Sequence, residues 1–135
     1  MALQYSVEVR NAQLDTFESE IGTAAVLKLR SGPPPSDCAQ ADSGTVLASM
    51  TLPSDWMAAA SGGSKAKNGT WQTTNAAATG TAEHFRLYAS DGTTCHAQGT
   101  VSLTDGNGDL KLDNVSITAG QTVTIDTFTL IAANS

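Results

Sequence analysis

Two histidines, two cysteines and one acidic run are the residues of this chain whose types could do chemistry. His84 and His96 would fall on one face of a strand pair and could begin a metal site. No third ligand is placed beside them, and Arg86 sets a cation opposite His96, so they read as surface histidines. Cys95 and His96 are neighbours in a strand-like run, which points their side chains to opposite faces and forbids a thiolate–imidazolium pair. Cys38 and Cys95 are too few and too far apart in sequence for a zinc site or a disulfide scaffold. They are expected to be reduced structural thiols, with a late disulfide, formed after release into an oxidising medium, as the alternative. The two can meet only if the loop from Pro33 to Gly44 folds over the strands that carry Cys95.

Asp105-Gly106-Asn107-Gly108-Asp109 alternates oxygen ligands as the start of a calcium loop does, but Leu110 stands where a glycine is needed and Ser116 where a glutamate belongs. A tight turn between strands needs the same residues, and a turn is the reading adopted. Serine and threonine abound without a Gly-x-Ser-x-Gly elbow, and paired carboxylates in an aromatic cleft are not recognisable. Asn68-Gly69-Thr70 and Asn114-Val115-Ser116 match a glycosylation sequon only by coincidence if the chain is not secreted. The chain is therefore expected to be no enzyme and to hold no metal or cofactor. Trp56 and Trp71 could stack on sugar rings in a carbohydrate-binding module, or anchor a core or an interface.

The elements that position these residues are strands. At 135 residues, with 5% aromatics and 15% charged residues, the chain has room for one domain rich in small side chains and turns. A net charge of −6 argues against nucleic acid. No apolar run approaches the roughly 20 residues needed to span a membrane. The N-terminus lacks a basic region followed by an apolar run, so synthesis in the cytoplasm is expected.

The clearest pattern is a hairpin, 83–88 with 94–103 around Asp91-Gly92. A three-residue loop, 90–92, with Gly92 left-handed, sorts Phe85, Leu87, Cys95, Ala97, Val101 and Leu103 to a core face. The same register sends His84, Arg86, Tyr88, His96 and Gln98 to solvent.

Upstream, residues 6–21 form the one helix, capped by Ser6 and Gly22, with Glu18 and Glu20 unfavourably near its negative end. Its stripe is Val7, Leu14, Phe17 and Ile21, expected to supply part of a subunit or lattice contact. A strand at 23–30 runs into Pro33-Pro34-Pro35, which stiffens a long loop reaching about Gly44. Further strands are expected at 45–52, 65–72 and 110–113, with a helical turn over 53–60. The terminal run 122–132 places Val123, Ile125 and Ile131 on one face and Phe128 and Leu130 on the other, and is expected to pair inside its own domain. The fold class is mainly β: an antiparallel sandwich or barrel-like single domain over 1–135, with the helix at about 6–21 and the β part at about 23–133.

Four segments resemble small β-rich structural proteins of tailed bacteriophages and prophages. They are Tyr5-Ser6-Val7 with Arg10-Asn11-Ala12-Gln13-Leu14-Asp15; Thr51-Leu52-Pro53-Ser54-Asp55-Trp56-Met57; Gly92-Thr93-Thr94-Cys95-His96; and Asp113-Asn114-Val115-Ser116-Ile117 leading to Gly120-Gln121-Thr122-Val123. None is a catalytic or ligand motif. The resemblance implies a virion structural role: a decoration or cement protein on the head bound to the major capsid protein, or a tail, collar or fibre-associated module. A homo-oligomer such as a trimer fits that role. The candidate contact residues are Val7, Leu14, Phe17, Ile21, Pro33, Pro34, Pro35 and Trp56. A carbohydrate-binding module and a small hydrolase are the competing classes.

Overall fold

The computed structural model describes residues 3–132, so the outermost residues of the expected 1–135 domain lie outside it. Helix α1 spans Val7–Ile21, and ten strands follow: β1 Val26–Arg30, β2 Val46–Thr51, β3 Ser64–Ala66, β4 Gln72–Thr73, β5 Gly80–Thr81, β6 His84–Tyr88, β7 Cys95–Leu103, β8 Leu110–Leu112, β9 Ser116–Ile117 and β10 Val123–Ile131. The main sheet runs β2-β1-β6-β7-β8-β10-β3, with β4 also paired to β10, and curls into a half-barrel; β5 and β9 form a separate ribbon. The protein is thus mainly β with one N-terminal helix, as its sequence predicts.

One pairing departs from the antiparallel pattern. β7 and β8 lie parallel, with Val101 opposite Leu110 and Leu103 opposite Leu112. The run Asp105–Asp109 makes this possible by doubling back along its own strand. A Cβ on Gly108 would sit 2.6 Å from the Ser102 nitrogen, and one on Gly106 2.8 Å from the Ser102 side chain, so only glycine passes there. Asp109 then accepts a bond from the Thr100 nitrogen at 3.0 Å. The acidic run is a turn.

Around the half-barrel's core, the chain's few large rings form one ladder. Phe17, Trp56, Trp71, Phe128 and Phe85 follow one another with centroids 5.9, 5.8, 5.5 and 5.6 Å apart. All 3 phenylalanines and both tryptophans of the chain are in it. Tilted and edge-on contacts at such spacing add to the burial gain of each ring. The indole nitrogens are satisfied as well, Trp56 donating to the Gly22 carbonyl at 2.9 Å and Trp71 to the Trp56 carbonyl at 3.1 Å. Trp56 is wholly buried, so it is a core residue and not the surface contact expected of it.

The helix belongs to the same core. Ser6 caps it, accepting from the Val9 nitrogen, and Gly22 ends it at φ 89. Leu14 and Ile21 are buried and Phe17 packs on the core cluster, while Val7 remains 40% exposed. The stripe is therefore spent inside the domain from Leu14 onward, against the expected subunit contact, because the aromatic ladder leaves a place that Phe17 fills. Glu18, awkward for the helix alone, pairs with the buried Lys65 of β3 at 3.0 Å, and Asp15 pairs with it at 2.7 Å. Burial opposes the Lys65 charge, but its bonds to the two carboxylates outweigh that and raise its pKa.

Three smaller expectations change. Residues 53–60 hold a turn at Ser54-Asp55 and a bridge from Met57 to Lys67, with no helix. The expected strand 65–72 is split into β3 and β4 around Asn68–Thr70. A bulge between Ile125 and Thr127 turns Phe128 to the core beside Val123 and Ile125, and leaves Ile131 exposed. The terminal strand does pair within its own domain.

If the helix is part of the core, Leu14→Ala and Phe17→Ala lower the unfolding free energy by about 2–4 kcal/mol each. Val7→Ala, at an exposed site, changes it by about 0.5 kcal/mol or less. Urea unfolding of the three variants checks this, and three equal small losses would place the helix outside the core.

Candidate functional site

The hairpin β6–β7 builds the chemically richest region. Leu87 pairs with Ala97, Arg86 with Gln98 and His84 with Thr100, which keeps Phe85, Leu87, Ala97 and Val101 on one face as expected. The connection is one residue longer than predicted: Ala89 and Thr94 bond at 3.0 Å around 90–93, with Gly92 left-handed at φ 71. The extra residue is absorbed where Tyr88 meets Cys95, before Leu87 meets Ala97. That irregularity moves Cys95 off the core face and onto the face of Arg86 and Tyr88. His96 stays exposed, as expected.

The second face is not solvated. His84, Arg86 and Tyr88 are all buried, and so is Arg30 beside them on β1. The cover is the irregular segment 31–44, which lies across the strands and takes up most of their hydrogen bonds, leaving Arg30 Nε, Arg86 Nε, His84 Nε2 and Gln98 Oε1 buried without a partner among the described residues. Arg86 Nη2 donates to three loop carbonyls, those of Cys38 at 3.1 Å and of Asp37 and Gln40 at 3.2 Å. Its Nη1 pairs with Asp42, whose other oxygen meets Arg30 at 3.1 Å. Tyr88 donates to Asp42 at 2.7 Å and accepts from Arg30 at 3.2 Å. The His84 ring nitrogen Nδ1 lies 2.7 Å from the Gly32 carbonyl, and Gln98 donates to the Pro35 carbonyl at 2.6 Å. At the loop's exit Gly44 adopts φ +71, and a side chain there would run into the Ser31 carbonyl.

Two buried cations thus share one carboxylate, and the titration of the cluster follows from that. Burial works against the Asp42 charge, but the bonds from Tyr88 and Arg86 and the charges of both arginines hold its pKa below the ordinary value. Burial, with the bond to Asp42, pushes the Tyr88 hydroxyl up to about 12.

The other sequence candidates do not gather here. His84 is locked under the loop and His96 is exposed on its strand, which separates the pair and corrects the surface role expected for His84. Pro33 and Pro34 stand exposed on the loop, with Pro35 half-buried. Both tryptophans are in the core, so neither offers a sugar platform. Among the described residues no group of three or more His, Cys, Asp or Glu is placed to hold a metal ion, and no helix is long and apolar enough to cross a membrane. The sequence reading missed an open cleft of about 440 Å³ between β7 and β10, walled by Phe17, Phe85, Phe128 and Leu130. Its one carboxylate, Asp109, is engaged by Thr100, so the cleft assembles no acid–base pair. The cleft exists because β8 is short, and no local periodicity marks where a neighbouring strand stops.

Asp42→Asn should cost stability at neutral pH, because two buried guanidinium groups lose their counter-charge. Breaking a fully buried pair costs about 3–5 kcal/mol; with the Asp42 side chain 42% exposed, screening reduces the expectation to about 1–3 kcal/mol. In the parent protein Asp42 contributes above its unfolded value of about 4 and loses that contribution as pH falls through its lowered folded value. Tyr88 runs the other way, contributing fully below about pH 10 and losing it as pH rises through about 12. Unfolding curves from pH 2 to 12 check both limits, and an acid limb unchanged by Asp42→Asn would refute the Asp42 part. Set against known proteins, the chain matches no protein-family profile, and no curated protein or solved structure is significantly similar to it.

Proposed function

We propose that the chain is a structural protein of a tailed-bacteriophage virion, a decoration or cement protein carried in many copies on the head surface. The observation that carries this reading is the loop 31–44: an irregular segment held to the sheet by buried Arg30 and Arg86 while Pro33 and Pro34 face outward. An exposed loop fixed in this way is a pre-organised contact surface, since little conformational entropy remains to be lost on docking. The resemblance of the four segments to phage virion proteins supports the same reading. On it the protein is made in the bacterial cytoplasm, acts without catalysis, and meets the major capsid protein through the proline loop. A small ring such as a trimer would place several loops on one lattice position. A tail or collar location would use the same loop and is the second reading. Burial of both tryptophans takes away the feature that favoured a carbohydrate-binding module.

Stepwise disruption of purified virions, with quantitative mass spectrometry of each fraction, tests the assignment. The protein should leave with heads, and purified protein should rebind heads that lack it. Pro33→Gly with Pro34→Gly should weaken rebinding about tenfold by loosening the loop. Recovery with tails selects the second reading, and absence from the particle refutes both.

A further inference from the structure

Cys38 and Cys95 are 57 residues apart in sequence, and their sulfurs are 3.0 Å apart in the fold. They are not bonded to each other, and both are half-buried. One sits on the loop 31–44 and the other on β7, so the contact crosses the boundary between the irregular cover and the sheet. Both sides of that contact are held independently of the sulfurs. The Cys38 carbonyl is fixed by Arg86, and Cys95 is fixed by its pairing with Tyr88. The thiols are therefore presented to each other by a rigid frame, and closing an S–S bond asks for about one ångström of approach.

We infer that Cys38 and Cys95 are an oxidisable pair, converted by a low-molecular-weight disulfide into a bond that latches the loop 31–44 onto β7. The chemistry runs by thiol–disulfide exchange. The Cys38 thiolate attacks one sulfur of the oxidant, forming a mixed disulfide and releasing one small thiolate. Cys95 then loses its proton to solvent and attacks the Cys38 sulfur, expelling the second small thiolate. Two protein thiols have given up two electrons and two protons, and one oxidant disulfide has become two thiols. The order follows from the surroundings of Cys95, whose pKa is pushed up to about 12, by burial first and then by Cys38 itself. Burial thus makes Cys95 the poorer first nucleophile. Once Cys38 is capped, its share of that effect is gone and the nearby Arg86 charge favours the Cys95 thiolate. This inference stands apart from the virion reading, because it depends only on the loop and the sheet.

The native chain is incubated with graded ratios of oxidised to reduced glutathione, quenched by alkylation, and analysed by intact mass and peptide mapping. The expected product is a monomer lighter by two hydrogens with a 38–95 linkage. Its thermal midpoint should rise by about 5–15 °C, and proteolysis within 31–44 should slow about tenfold. Cys38→Ser and Cys95→Ser, treated alike, should gain neither effect. Glutathione adducts on both cysteines without a linkage, or no reaction under excess oxidant, would overturn the inference. A linkage that leaves the midpoint and the loop cleavage unchanged would overturn it too.

Discussion

The sharing of Asp42 by Arg30 and Arg86 is the interaction on which the rest of this fold depends. A guanidinium group taken out of water is costly unless its donors are met, and here two are taken out side by side. Strands cannot meet them, because their own carbonyls are committed to the ladder. The loop 31–44 meets their terminal nitrogens, because its carbonyls at Asp37, Cys38 and Gln40 have no ladder to serve, while the two Nε atoms stay unpartnered among the described residues. The irregularity of the loop is thus the property that lets it cover a charged face. A regular strand or helix laid there would present fewer free acceptors. Strand β6 in consequence is buried on both faces by unlike means: apolar packing on one, and a polar lid on the other.

A third buried cation, on β3, repeats the device beneath the helix. Lys65 lies under the helix and is met by Asp15 and Glu18, while the Asp15 and Glu18 oxygens also accept from the Ala60 and Met57 nitrogens. In each case a charge from the sheet reaches an element that the sheet's own hydrogen bonds cannot hold. The apolar side of the helix adds the nonspecific part of the attachment through Leu14, Phe17 and Ile21. The charges set the registry that apolar packing alone leaves loose, since Lys65 can meet both carboxylates only when they lie one turn apart above it.

What could be read from the sequence divides along a physical line. The helix with both caps, the strands β1, β2 and β8, the left-handed Gly92 and the internal pairing of β10 were legible, because each rests on residues adjacent in the chain. The errors came from single-residue irregularities. The bulge after Ile125 inverts the alternation beyond it, and the extra residue at Tyr88 and Cys95 moves Cys95 to the other face; alternation was the only guide to which face a side chain takes. Burial of His84, Arg86 and Tyr88 was illegible for another reason. Polar residues on one strand face imply solvent unless a distant segment covers them, and apart from the Asp42 carboxylate the acceptors that do so are backbone atoms, which carry no sequence signature. Trp56 and Trp71 were left open between core and surface because their ladder joins five places far apart in the chain.

The same covering explains why the loop, more than the cleft, is where function is best sought. The cleft between β7 and β10 mixes apolar side chains with Gln98 and Thr129, and its one carboxylate is already engaged, so it reads as a gap left by a short strand. The loop is the opposite case: buried charge is committed to holding it still while two prolines remain outside. A domain gains little stability from a buried ion cluster compared with an apolar one of the same size. Retaining four polar side chains under an irregular segment is therefore poorly accounted for by stability alone, and better by the shape they impose on the loop. Arg30 and Arg86 fix that shape from beneath through Asp42, and Cys38 and Cys95 meet at its edge, where a covalent bond would make permanent what the charges already hold.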